Sequence, residues 1–331
     1  MNQWLAATAA PAVLVTVSKV QGSAPRAAGT KMLVTADGQQ DTIGGGHLEM
    51  RAIDIARGML DSAAPATQHE RFPLGPSLGQ CCGGVVWLTF EPVQAQVAEV
   101  LAALRERRRE DSWRVTAIDG TPRCALFDDA GAVITGSGGV PQPPVRYDEA
   151  TLFADATGRT WLYDPVLAPR SHVLLFGAGH VGAAIVRALA ELPCTVSWID
   201  ERDDMFPASV PDNVTVEATD TPETLVELAP PGASYLVMTH SHALDQRLCE
   251  AILAREQVGW FGLIGSKTKR MQFEHRMAAR GIAQERIGTM VCPIGVPGIT
   301  DKAPAVIAAS VAAQLLITWE AQAAAPAPQE N

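Results

Sequence analysis

A glycine-rich turn in the middle of the chain constrains the fold more than any other feature of the sequence. An apolar run at 173–176 has the length and composition of a buried strand, and a helical pattern occupies 183–192. The turn between them has GxGxxG spacing, formed by Gly177, Gly179 and Gly182. A second strand-like run at 195–199 ends in Asp200. This succession of strand, glycine turn, helix, strand and acidic residue is typical of sheets that bind dinucleotides or other phosphates.

Each glycine of the turn has a predicted role. Gly177 permits the tight turn, Gly179 lets a phosphate approach backbone N–H groups, and Gly182 lets the helix pack closely on the strand. The helix N-terminus adds partial positive charge and free N–H donors. We therefore predict an anion-binding turn in the C-terminal half.

The pattern around this turn predicts an α/β domain over 171–320. Strands and helices alternate, which indicates a Rossmann-like, doubly wound parallel sheet with strand order 3-2-1-4-5. The predicted strands lie at 173–176, 195–199, 214–217, 235–238 and 261–264. A last helix is predicted at 303–319, and the alanine- and proline-rich residues 321–331 are expected to be a disordered tail.

The first half of the chain, 1–165, has a different pattern and predicts an α+β domain. Helices are expected at 47–60 and 93–108, among short strands. The predicted strands lie at 12–20, 31–35, 85–90, 114–118, 124–127, 133–135 and 160–163. Residues 164–170, which contain two prolines, are interpreted as the linker between the domains.

Composition narrows the classes of function. The 331-residue chain carries a formal net charge of −10, whereas proteins that neutralise nucleic-acid phosphates are normally basic, so nucleic acid is not an expected partner. No run is expected to reach the roughly 18 apolar residues of a membrane span, and the first residues lack the basic region of a signal peptide. We expect a cytoplasmic protein with reduced thiols and no membrane partner.

Polar residues are expected to gather at the carboxyl edge of the predicted sheet, where such sheets bind their ligands. The candidates that follow successive strands are His180, Asp200, Arg202, His240, His242, Ser266 and Lys267. An alternative role for Ser241 and Ser266 is to cap the helices that follow them.

The spacing of His240 and His242 also suggests a metal site. In an extended segment both side chains point to the same side, so both can reach one zinc or iron ion. Asp245 follows in the same segment, and His180 is a candidate third ligand.

Two glycine-rich segments of the first half are candidate binding loops. The first consists of Gly44, Gly45, Gly46 and His47. It opens a helix, where backbone N–H groups can cradle an anion. The second consists of Gln80, Cys81 and Cys82, among further glycines. Backbone donors there would lower a thiol pKa and keep the thiolate exposed, and the alternative is a turn with two buried thiols.

The other cysteines divide into two groups. Cys124, Cys194 and Cys249 lie in apolar or helical patterns, which predicts small buried side chains. Cys292 fits either a third thiol near the predicted crevice or a buried loop cysteine.

A series of segments, in order along nearly the whole chain, resembles the XdhC/CoxI family of accessory proteins for xanthine dehydrogenase and related molybdenum hydroxylases. The segments are GSAPRAAGTKMLV (22–34), GGGHLE (44–49), LGQCCGG (78–84), FGAGHVG (176–182), IDERDDMFP (199–207), MTHSHALDQRLCEAIL (238–253), GLIGSKTKR (262–270), and CPIG (292–295) with the helix IAASVAAQLL (307–316). This set is far more specific than the glycine turn alone.

The resemblance implies a cytosolic chaperone rather than an enzyme. Such proteins bind the molybdenum cofactor in its molybdopterin form and protect it while a cysteine desulfurase replaces an oxo ligand by sulfur. They then deliver it to an apo xanthine dehydrogenase-type hydroxylase, and a homodimer is expected. The cofactor's phosphate suits either glycine loop, and soft thiolates at Cys81 and Cys82 suit molybdenum. The pterin edge suits Gln80, Asp200 and Arg202.

Three alternatives remain open at this point. The glycine turn and Asp200 fit an NAD(P)-dependent oxidoreductase, in which the acid accepts a ribose hydroxyl. A persulfide carrier would receive sulfur on Cys81 or Cys82. A scaffold with a degenerate nucleotide-binding fold would only dock other proteins.

Overall fold

The computed structural model describes residues 3–5, 11–75, 83–142 and 148–324. The chain divides into two units, Asn2–Ala168 and Pro169–Asn331. Each unit has its own hydrophobic core, so each is described by itself.

The described part of the N-terminal unit is built on two antiparallel sheets of five strands. The first has the order β3-β2-β1-β5-β4 and consists of β1 (Ala12–Gln21), β2 (Lys31–Thr35), β3 (Gln39–Gln40), β4 (Gln68–Pro73) and β5 (Val85–Pro92). The second has the order β8-β7-β6-β10-β9 and consists of β6 (Ser112–Ala117), β7 (Cys124–Phe127), β8 (Val133–Gly136), β9 (Thr151–Ala154) and β10 (Thr160–Val166). The helices are α1 (Gly46–Leu60) and α2 (Ala95–Glu106).

Strand β1 is buried on both faces. Val13 and Val15 lie in one apolar cluster with Leu48 and Ala52 of α1. Leu14, which points the other way, lies in a second cluster with the apolar residues of α2. This alternation is the period of a strand that is covered on both sides. The α+β class predicted for this half is confirmed.

A buried ionic network joins the two sheets of this unit. Arg114 on β6 donates to Asp164 on β10 at 3.0 Å and to Glu91 on β5 at 2.5 Å. Lys31 on β2 donates to the other oxygen of Asp164 at 2.7 Å. Asp164 also pairs with Arg114 in the strand register, so the prediction that the linker begins at residue 164 is wrong. Residues 164–166 belong to β10 because their strand pairing and ion pairs hold them in the sheet.

The C-terminal unit contains a parallel six-stranded sheet. Its strands are β11 (Ser171–Phe176), β12 (Cys194–Asp200), β13 (Val214–Ala218), β14 (Ala233–Val237), β15 (Val258–Leu263) and β16 (Met290–Val291), in the order β13-β12-β11-β14-β15-β16. The predicted 3-2-1-4-5 order is confirmed, and the short β16 extends the sheet at one edge. The helices are α3 (His180–Leu189), α4 (Pro222–Leu228), α5 (His242–Ala254), α6 (Lys267–Ala279), α7 (Gln284–Gly288) and α8 (Pro304–Ala323).

Helices cover both faces of the parallel sheet. Leu175 of β11 packs in a cluster with Ile185 of α3 and Leu315 of α8. Its neighbour Leu174 points to the opposite face and packs with residues of α5, such as Leu248. This arrangement is the doubly wound architecture expected from the sequence.

Helix α8 departs from the sequence prediction in two respects. It continues to Ala323, so the prediction of a disordered tail from residue 321 is wrong for 321–323; residues 325–331 lie outside the described part. It is also long and apolar enough to cross a membrane, judged by length and composition, with a mean hydropathy of 1.4. Ala308, Val311 and Leu315 on one side of it are buried in the core of the C-terminal unit.

Candidate functional site

The glycine turn that follows β11 has the geometry its sequence predicts. Gly177 has a φ of +123°, and a Cβ atom built on it would lie 2.3 Å from the carbonyl oxygen of Met238. A Cβ atom on Gly182 would lie 2.1 Å from the carbonyl oxygen of Gly177, so only glycine allows this approach of α3 to the strand. A Cβ atom on Gly179 would meet nothing within 4 Å. Open space therefore lies beside the middle glycine, where the sequence predicts a phosphate.

The acidic residue at the end of β12 is fully engaged within the protein. One oxygen of Asp200 accepts hydrogen bonds from the Ala178 amide at 2.7 Å and from Arg202 Nη2 at 3.0 Å. The other accepts from Arg202 Nε at 2.9 Å and from the Arg202 amide at 3.1 Å. Burial would raise the pKa of this carboxyl, but the hydrogen bonds from Arg202 and Ala178 outweigh it and hold the pKa below its ordinary value. Asp200 is thus an ionised anchor for Arg202.

The other candidates of this edge are exposed side chains at or beside the starts of helices. They are His180, His240, His242 and Lys267. Ser266 has the alternative capping role, since its Oγ accepts from the Lys269 amide at 3.2 Å. A narrow pocket at the carboxyl edge is lined by Asp200 and His240 among others, so the structure brings these two candidates together.

The metal site suggested by His240 and His242 does not form. In the part of the chain that the structure describes, no group of three or more His, Cys, Asp or Glu side chains is placed to hold a metal ion. Asp245 is buried instead, and it accepts hydrogen bonds from Thr239 and from Lys269 Nζ, the latter at 2.7 Å. The sequence pattern indicated Lys267, whereas Lys269 is the lysine that contacts the interior of this edge.

The glycine loop before α1 supplies its own anion. Gly44, Gly45 and Gly46 all have positive φ, at 124°, 73° and 65°. The carboxylate of Glu49 accepts hydrogen bonds from the amides of Ile43 at 2.9 Å and Gly45 at 3.1 Å, and also from the Thr42 hydroxyl. Burial would raise the pKa of Glu49, but these donors lower it overall. The predicted anion cradle is therefore partly filled by a residue that the sequence pattern did not single out, while His47 is exposed beside it.

Three motifs of the N-terminal unit meet at one place. A Cβ atom on Gly84 would lie 2.2 Å from the carbonyl oxygen of Ser23, so the backbone after Cys82 passes directly against the loop that follows β1. A Cβ atom on Gly44 would lie 2.5 Å from Cβ of Pro25, in the same loop. Gln80, Cys81 and Cys82 themselves lie outside the described residues, and their roles stay predictions.

A polar cavity of about 360 Å³ lies in the N-terminal unit and was not predicted. Its lining includes Arg26, Lys31, Asp41 and Thr42. Lys31 donates to Asp164 and sits 4.9 Å from the centre of the Trp4 ring. Burial is the largest influence on Lys31 and lowers its pKa although Asp164 acts in the opposite direction. The sequence gives only a weak signal for this cavity, a lysine at the first position of the predicted strand 31–35, because lysine is rarely fully buried.

The cysteines predicted to be buried are buried. Burial raises the pKa of Cys124 to about 12 and that of Cys194 to about 11, and it raises the pKa of Cys249 as well. Cys292 is also buried, with a raised pKa, which favours the structural role left open for it. All four are free thiols of low reactivity.

The fold and these loops define a two-unit protein, in which an α+β unit with clustered glycine motifs precedes a Rossmann-type unit with an open glycine turn. Residues 173–315 match the family model described as the XdhC Rossmann domain. Residues 5–72 match the model described as the XdhC and CoxI family. The chain belongs to the XdhC/CoxI family.

The chain is also similar to individual known proteins. The chain is 22% identical over 271 residues to a probable xanthine dehydrogenase subunit from Bacillus subtilis (strain 168), covering 78% of this chain and 82% of the relative. It is 26% identical over 164 residues to the protein YqeB of Escherichia coli (strain K12), which covers 49% of this chain but 30% of YqeB. The crystal structure of a xanthine dehydrogenase from Bacillus halodurans has the same fold, with a TM-score of 0.73, 21% identity and coverage of 98% of this chain and 96% of that one.

Proposed function

We propose that the chain is an accessory protein that binds the molybdenum cofactor and delivers it to a xanthine dehydrogenase-type hydroxylase. The observation that carries the proposal is an open glycine turn in a chain of the XdhC/CoxI family. The proposal includes sulfuration of the bound cofactor by a cysteine desulfurase, a homodimeric state and a cytoplasmic location.

The glycine turn supports binding of the cofactor's terminal phosphate. The space beside Gly179 is open, and the turn leads into the N-terminus of the ten-residue helix α3. Arg202 is held beside the same turn through Asp200, which also binds the Ala178 amide. When bound, the cofactor would supply molybdenum and dithiolene chemistry, and these residues would bind and orient its phosphate.

The meeting of three motifs supports a role for the N-terminal unit in holding the cofactor. Cys81 and Cys82 precede Gly84, whose backbone packs against Ser23. Thiolates there would be soft partners for molybdenum or for the transferred sulfur. The loop at Gly44 suits a phosphate less well than its sequence indicates, because Glu49 already occupies two of its amides.

The NAD-dependent form of the oxidoreductase alternative is less well supported by the site, because it requires a ribose-binding acid at the end of β12. A ribose-binding acid needs free lone pairs to accept hydroxyl hydrogens. Asp200 already accepts four hydrogen bonds from Ala178 and Arg202. This is about the full capacity of a carboxylate.

The test loads the full chain with molybdenum cofactor released from a donor protein and then adds an apo-hydroxylase. We expect retention of the cofactor and gain of hydroxylase activity. Gly179→Val should lose retention, because the new side chain fills the phosphate space. Gly288→Val is the matched control, since a Cβ atom there also meets nothing within 4 Å. A folded Gly179→Val protein with unchanged retention would show that the turn is not the phosphate site.

A second arm concerns the adjacent cysteines. Cys81→Ser, Cys82→Ser and the double variant keep size and hydrogen bonding but remove the soft sulfur. We expect at least one to lose cofactor retention or hydroxylase activation. Mass spectrometry after incubation with a desulfurase and cysteine reports a persulfide on the protein, which would favour the carrier function. Parental behaviour of all three variants would assign the pair to a structural turn.

A further inference from the structure

The end of β12 contains a pair whose chemistry differs from that of a dinucleotide-binding sheet. In such a sheet the acid at this position accepts hydrogen bonds from a ribose diol. Here Asp200 is 5% exposed, and both of its oxygens are occupied. Two donors approach each oxygen, at 2.7 and 3.0 Å on one and at 2.9 and 3.1 Å on the other. A carboxylate offers about four lone-pair sites, so no acceptor capacity remains for hydroxyl groups.

The same hydrogen bonds fix a cation at this position. Asp200 binds Arg202 through Nε and Nη2, which holds one edge of the planar guanidinium. The guanidinium has five N–H groups, so Nη1 and the outer hydrogen of Nη2 remain for another partner. The Arg202 side chain is 37% exposed, whereas that of Asp200 is 2% exposed. The pair therefore presents a positively charged edge to solvent and keeps its negative charge inside.

The location of this cation links it to the glycine turn. The Asp200 oxygen that binds Arg202 Nη2 also binds the Ala178 amide. Ala178 lies between Gly177 and Gly179, so one carboxylate oxygen separates the guanidinium from the turn. An oriented guanidinium edge matches the oxygens of a phosphate, and such charge-assisted contacts are roughly twice as strong as neutral ones.

We infer that Arg202 is the specificity-determining residue of the glycine-turn site and that Asp200 is its positioning residue. The site selects a ligand that carries a phosphate monoester where a dinucleotide-binding sheet would receive a ribose diol. This inference rests on the proposed function in taking the turn as a ligand site. It goes further in naming the group that the site selects and the residue that selects it.

A pair of probes that differ by one phosphate tests the inference. NADP⁺ and NAD⁺ are titrated into the full chain by isothermal titration calorimetry, as probes and not as the physiological ligand. We expect NADP⁺ to bind at least about tenfold more tightly, because the extra phosphate gains charge-assisted hydrogen bonds. Arg202→Ala should bring the ratio close to one. It should also lower Tm, because it leaves the buried carboxylate of Asp200 without its cation, so binding is measured at a temperature at which circular dichroism shows the variant folded. Arg247→Ala is the matched control, an exposed arginine of the same unit paired with Glu223, and it should keep the ratio.

Asp200→Asn tests the positioning role separately. This variant keeps Arg202 but removes its ionic anchor, so the preference for NADP⁺ should fall. Arg202→Lys keeps a positive charge but lacks the bidentate edge of the guanidinium, so it should not show the parent's preference for NADP⁺. Equal affinity of the parent chain for both nucleotides, or binding of neither at millimolar concentration, would overturn the inference. A parent chain that prefers NADP⁺ over NAD⁺ but does not transfer the molybdenum cofactor to the apo-hydroxylase would instead contradict the proposed function alone.

Discussion

At the scale of single residues, the glycines of the turn differ in what they do, and substitution separates their roles. Gly182→Ala should destabilise the protein by about 1–3 kcal/mol, because its Cβ would overlap the carbonyl oxygen of Gly177 at 2.1 Å. Gly179→Ala should change stability by less than about 1 kcal/mol, since its φ of −75° suits any residue and the space is open. Urea unfolding measures both. Equal destabilisation by the two would contradict the packing role of Gly182.

The carboxylate of Glu49 predicts a pH dependence of the protein's stability. Its pKa is lowered in the folded state, so its contribution to stability is present above the unfolded value near 4.5 and is lost as pH falls through the folded value. Glu49→Gln should therefore be less stable than the parent at pH 7, with a gap that closes below pH ~4. Thr42→Val removes one of the donors and should show a smaller gap of the same sign. A stability difference between Glu49→Gln and the parent that persists unchanged at low pH would show that the ionised carboxylate of Glu49 does not stabilise the loop before α1.

At the scale of elements, Lys269 joins the start of α6 to α5 and to the sheet. It donates to Asp245 at 2.7 Å and to the carbonyl oxygen of Ile264 at 2.9 Å, and Asp245 is fully buried. Lys269→Met should cost about 3–5 kcal/mol, because it leaves a buried charge without its partner.

Lys267→Met is the matched control for that prediction, because this lysine is exposed two positions earlier on α6. We expect it to change the free energy of unfolding by less than about 0.5 kcal/mol. The double variant Asp245→Asn with Lys269→Met should recover part of the loss. If Lys267→Met were the more damaging of the two, the contact described for Lys269 would be wrong.

These element-scale contacts show where sequence reasoning stops. Periodicity predicts strands such as Lys31–Thr35 and Cys124–Phe127 with their observed bounds, because the apolar pattern of a buried strand lies within a few consecutive residues. It misses β3 and β16, which have two residues each and carry no period. It also misses the longer strands β4 and β9, whose residues do not alternate between buried and exposed. It also misses the partners of Lys269 and Glu49, since these hydrogen bonds depend on which loops meet in the folded chain. The glycine turn was predictable because the glycine spacing and the flanking strand and helix patterns are local features of the sequence. The four hydrogen bonds that occupy Asp200 were not predictable, because they depend on the conformation that the Arg202 side chain adopts.

At the scale of the whole molecule, the chain consists of two units with separate cores. The ionic network of Lys31, Glu91, Arg114 and Asp164 lies wholly in the N-terminal unit. Gly182 and the residues it packs against, Gly177 and Leu175, belong to the C-terminal unit. A substitution that destabilises one core should therefore lower the Tm of one unfolding transition, and a substitution in the other core should lower the Tm of another.

Calorimetry of Arg114→Met tests this organisation. The variant leaves Glu91 without its cation and weakens the neutralisation of Asp164, at a cost of about 3–5 kcal/mol. For a unit of this size each kcal/mol lowers Tm by roughly 2–4 °C, so one transition should fall by roughly 6–20 °C. Gly182→Ala should lower the other transition and leave that one in place. Arg114→Met with Glu91→Gln should recover part of the loss, because the orphaned carboxylate is removed while Lys31 still neutralises Asp164. A single transition shifted by both substitutions would show that the two cores unfold together.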